Sequence, residues 1–179
     1  MENISNGESC DGMLPIEDIS KNLSPGKVRR LKRLPRLALS LAIAAHEDSG
    51  KADRPSSIFF GTGWGALSET FDFLTRLYET DEKFPSPTDF VGSVHNAPGS
   101  QIAMHFQSTG ANVTTTGGDY SFEQSVMAAG LLQRETDKTF LVLGADESSR
   151  KLSPLLDGSI LPGKGLTDGG GALCLARGD

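Results

Sequence analysis

The chain has 179 residues, enough for one globular domain with a real core. Its formal net charge of −6 argues against a nucleic-acid partner, because binding a phosphate backbone needs a clustered positive field. No stretch reaches the roughly 18 consecutive apolar residues of a membrane span, and Cys10 and Cys174 lie in neither a CxxC nor a His-ligand spacing. No metal site, disulfide framework or cofactor is therefore expected, and the cytoplasm is the expected compartment.

Residues 1–24 mix Asn, Ser, Gly and Glu with little apolar content, which predicts a polar, loosely ordered start ahead of a single domain over 25–179. Ser24-Pro25-Gly26 offers an N-cap and a proline at the first helical position. The basic run Lys27, Arg29, Arg30, Lys32, Arg33 reads as a solvated helix face, with a docking patch for an acidic carrier protein as the alternative. Pro35 restarts the helix, and residues 35–47 are apolar nearly all round, so burial on more than one side is expected.

The run from Ser57 to Phe60 stops at Gly61-Thr62-Gly63-Trp64-Gly65, as a buried strand feeding a glycine-rich turn does. A helix over about 66–79 follows, with Leu67, Thr70, Phe71, Leu74, Leu77 and Tyr78 on one stripe expected to be core. Ser86-Pro87 starts a short helix ending near Val94. After His95 and Asn96 another helix presents Ile102, Ala103 and Phe106, and Gly110 is expected to end that segment. Residues 110–116 are β-branched and alternating, hence a strand. The next helix runs to about Gln133 and is expected to carry Phe122, Val126, Ala129, Gly130 and Leu131 inward. Thr139–Gly144 and Gly169–Ala176 complete the strands. Strands alternating with helices imply an α/β fold with a mostly parallel, mixed sheet covered by helices on both faces.

Five segments occur in a telling order: SIFFGTGWGA, SPTDFVGSVHNAPGSQIAMHF, GANVTTTGGDYSFEQSVMAAGLL, FLVLGADE and GLTDGGGALCLA. Together, over residues 28–177, they resemble the N-terminal half of the β-ketoacyl synthase family, and most closely its diverged stand-alone N-terminal domains. The resemblance implies a thiolase-like half fold whose first strand is absent or replaced. It implies a role in fatty-acid, polyketide or polyene biosynthesis, and a homodimer, or a heterodimer with a condensing enzyme. An acyl carrier protein is a further implied partner.

In that family the turn into the helix after the second of these strands carries the nucleophilic cysteine, and here that position is Asp119. The family's catalytic histidines belong to the C-terminal half, so His95 and His105 do not correspond to them. A carboxylate is a poor replacement for a thiolate: its acyl anhydride is labile, and its charge repels the carboxylate of a malonyl donor. The expected function is thus a synthase-like partner or scaffold without condensing activity. As a plain structural residue, Asp119 faces the helix dipole, worth about 0.3 to 1 kcal/mol, or caps the helix for roughly 1 kcal/mol. Ser121 competes for the cap, since Ser121 and Gln124 form an S-x-x-Q capping box. The alternative is a different acyl-thioester chemistry (hydrolysis, decarboxylation or dehydration) using Asp119, Ser121 and His95.

Overall fold

The computed structural model describes residues 12–50, 53–132, 139–149 and 167–176. The elements in chain order are a 3-10 turn at Asp18–Ser20, α1 (Pro25–Arg30), α2 (Arg33–Asp48), β1 (Ser57–Gly61), α3 (Leu67–Glu79), α4 (Pro87–Ser93) and α5 (Ala97–Phe106). Then come β2 (Asn112–Thr115), a second 3-10 turn at Gly118–Tyr120, α6 (Ser121–Leu132), β3 (Thr139–Asp146) and β4 (Gly169–Ala176).

The four strands form one sheet in the order β2-β1-β3-β4. β1 runs parallel to β2 and β3, with Phe59 opposite Val113 and Val142, while β4 is antiparallel to β3. Every residue of β1 is buried, as expected of an apolar strand covered on both faces. Side chains alternate across the pleat. Ile58, Phe60, Leu141 and Leu143 point into a large core with Leu34, Leu39 and Ile43 of α2 and Ile102 and Phe106 of α5. Phe59, Phe140 and Val142 point to the other side, where the cluster is smaller and Ala129 of α6 closes it.

The all-round apolar character of α2 is explained by this position: Leu37, Ala38, Leu39, Leu41, Ala42 and Ile43 are all buried. Ile19 and Leu23 join the same core, so packing begins upstream of α1. Arg33, at the start of α2, pairs with the buried Asp168 that precedes β4, and Asp168 also accepts the Leu14 N–H at 2.7 Å.

Three expectations are corrected. The stripe on α3 is not core: only Glu69 of that helix is buried, and Leu74 and Tyr78 are exposed, because α3 packs on α4 outside the sheet layers. Helix α6 turns its small residues inward: Ser121, Ser125 and Ala129 are buried, while Phe122, Val126, Gly130 and Leu131 are exposed. The close seat of α6 on β1 dictates this, since a Cβ on Gly61 would overlap the Ser121 carbonyl. Finally, α5 ends before Gly110, at Gln107, whose φ of 58° is the left-handed cap conformation.

Candidate functional site

Where β2 ends, the chain turns sharply into α6, and that turn is fastened to β1 by hydroxyl groups. Gly118, with φ 61°, supplies the left-handed step. Ser121 Oγ accepts the Gly117 N–H at 2.9 Å and has the carbonyls of Gly118 (2.7 Å) and Thr62 (3.0 Å) as acceptors for its one proton. Thr115 Oγ1 lies 2.6 Å from Ser125 Oγ and donates to the Ser121 carbonyl at 2.8 Å. Ser121 is buried and bonded back to the turn, so the S-x-x-Q sequence does not operate as a capping box here.

Asp119 stands exposed on this turn, on the wall of a cavity of about 480 Å³. Gly61, Trp64, Phe122, Gly144 and the glycines of β4 line the rest. Ser121 borders the same cavity, but His95 does not. His95 is exposed after α4, and its ring fills the space beside Gly65 that a Cβ would need, at a φ of 68° that favours glycine in any case. Asp119 and Ser121 are thus brought together and His95 is placed elsewhere.

No thiol among the described residues reaches the cavity. Cys174 is the register partner of Leu141 and packs with the α2 core, on the face of the sheet away from α6. No group of three or more His, Cys, Asp or Glu suited to a metal ion occurs among the described residues, and no described helix is long and apolar enough to cross a membrane.

Asp146, which sequence reasoning did not single out, holds the glycine-rich loop after β1. Its Oδ1 accepts from Thr62 Oγ1 at 2.7 Å and Trp64 N–H at 3.0 Å, and its Oδ2 from Gly63 N–H at 2.9 Å. Its signal in the sequence is an acid closing an apolar strand. A second, larger cavity of about 740 Å³ opens between α3, α4, α5 and the start of α2, bordered by Lys32, Glu69, Arg76, Val91 and Met104. The basic run divides: Arg33 is taken by Asp168 and Lys27 hydrogen-bonds His105, while Arg29, Arg30 and Lys32 remain exposed.

Residues 17–152 match the family described as β-ketoacyl synthase, N-terminal domain. The chain belongs to this family. Among solved structures, this synthase-type domain is similar to the ketosynthase (ApeO) in complex with its chain length factor (ApeC) from Xenorhabdus doucetiae, at 20% identity and TM-score 0.71, covering 89% of this chain and 63% of that one. It is similar to the ishigamide ketosynthase/chain length factor at 21% identity and TM-score 0.75, covering 92% and 49%. A β-ketoacyl synthase from Burkholderia phymatum STM815 matches at 16% identity and TM-score 0.65, covering 89% and 42%. The synthase-type domain therefore spans less than two thirds of each of these structures. No curated protein matches it by sequence.

Proposed function

We propose that this protein is a synthase-like subunit without condensing activity of its own, which pairs with a ketosynthase and shapes or scaffolds its acyl site in fatty-acid, polyketide or polyene synthesis. The observation that carries the reading is Asp119, exposed at the elbow where a nucleophile is needed, with Cys174 on the opposite face of the sheet. Without a thiolate the acyl group has no acceptor, and a carboxylate beside the malonyl site is repulsive.

Two surface features support a docking role. Phe122, Val126, Met127 and Leu131 are exposed apolar residues spread over the side of α6 away from the sheet, and Leu173 of β4 is exposed on the same side of the sheet. Exposed Arg29, Arg30 and Lys32 suit an acidic acyl carrier protein.

The test mixes the protein with a cysteine-bearing ketosynthase and follows chain elongation from malonyl and acyl carrier thioesters, with mass by light scattering. The expected result is a stable complex, no turnover by this protein alone, and elongation by the pair that survives Asp119→Ala. Thioester turnover by this protein alone that Asp119→Ala abolishes would overturn the proposal in favour of acyl-thioester chemistry at Asp119 and Ser121.

A further inference from the structure

Glu69 in the first turn of α3 and Glu147 just past β3 take no part in the reading above, yet each is only 5% exposed. Glu147 Oε1 accepts the Ser68 N–H at 2.9 Å. Its Oε2 and both carboxyl oxygens of Glu69 have no hydrogen-bond partner of ordinary geometry among the described residues. Two ionised carboxylates buried side by side repel each other and leave those oxygens desolvated. One proton between them gives both groups a partner.

We propose that Glu69 and Glu147 share one proton, Glu69 donating to Glu147, and that this proton is a pH-sensitive latch fastening the start of α3 to the end of β3. Among the described residues, two neighbouring charges act on the pair. Lys32, on the α2 side, is exposed and paired with Asp72, and it only weakly favours ionised Glu69. Asp168, ahead of β4, opposes ionisation of Glu147 and is itself held by Arg33. Burial, and then the charge of Glu147, push Glu69 up to about 8. Burial raises Glu147 as well, with the bonds from Ser68 and Glu69 acting against it.

The latch sits where several anchors converge. Asp146, one residue earlier, holds the Gly63–Trp64 loop, and the Ser148 N–H, one residue later, donates to Asp168 Oδ1 at 2.8 Å. Glu69 also borders the larger cavity, so releasing it loosens a cavity wall.

The sign follows from linkage. In an opened form Glu69 ionises near its ordinary value of 4.5, whereas the closed form keeps the proton up to about 8. Between those pH values opening is favoured by up to tenfold per unit, and above them the effect levels off. The test is amide hydrogen exchange at Ser68 and Glu69, expressed as protection relative to the free peptide. Protection is expected to fall with pH across that window in the native protein and to fall much less in Glu69→Gln, whose amide donates to Glu147 and leaves only Glu147 to titrate. An equal pH dependence in the variant overturns the proposal. An infrared titration of the unaltered protein gives a second decision, independent of the variant's folding. A protonated carboxyl band persisting at neutral pH supports the latch, and its absence overturns it.

Discussion

On one side of the sheet, α2 and α5 bury Leu34, Leu39, Ile58, Phe60, Ile102 and Leu141 almost completely. On the other side, α6 sits on β1, β2 and β3 through Ser121, Ser125 and Ala129, close against Gly61 of β1, and turns Phe122, Val126, Met127 and Leu131 outward. Helices α2 and α6 are both rich in apolar residues, but α2 spends them on this chain's own core, whereas α6 presents its large ones at the surface. A helix that seats on a sheet through small residues and turns its large apolar ones outward has the pattern of a middle layer with a second neighbour. Asp119 stands at the entrance to α6, so the exposed apolar residues and the residue on which the proposed loss of condensing activity rests belong to the same part of the fold.

The contrast between the faces can be broken by substitution. Leu39→Ala, at a residue 1% exposed on the finished side, is expected to lower stability by about 2–5 kcal/mol in urea unfolding. Gly61→Ala on the α6 side is expected to cost roughly 1–3 kcal/mol, because the added methyl pushes on the Ser121 backbone and lifts α6 from β1. The smallest effect on folding is expected for Leu131→Lys, at a residue 81% exposed. Stability should change by no more than about 0.5 kcal/mol, while binding to a ketosynthase weakens in the same preparation. A large loss of stability from Leu131→Lys would mean that the α6 face is already covered within this chain.

Much of the fold was legible. The apolar run before Gly61 and the all-round apolar α2 carry their burial in composition alone, and Pro87 marks a helix start that the structure keeps. The orientation of α3 and α6 was not legible. Periodicity reports which residues of a helix are apolar, but when small residues such as Ser125 and Ala129 make the closest approach to a sheet, the large ones end up outside. The place of Asp119 on the turn into α6 was readable from the order of segments, whereas the separation of His95 from it depends on where α4 and α5 pack. The acid pair and the tie between Arg33 and Asp168 join residues far apart in sequence, and no local pattern announces such partners.

That tie bears on the order in which the molecule can be assembled. Asp168 receives the Leu14 N–H and the Arg33 guanidinium, and its own N–H donates to the Gly12 carbonyl at 2.7 Å. Arg33 and Asp168 are 135 positions apart. During synthesis α2 precedes β3 and β4, so its core is covered first by β1 and α5 and is completed only when Leu141 and Leu143 join it. In a nascent chain the Arg33 guanidinium therefore waits for a carboxylate made 135 positions later before this tie can close.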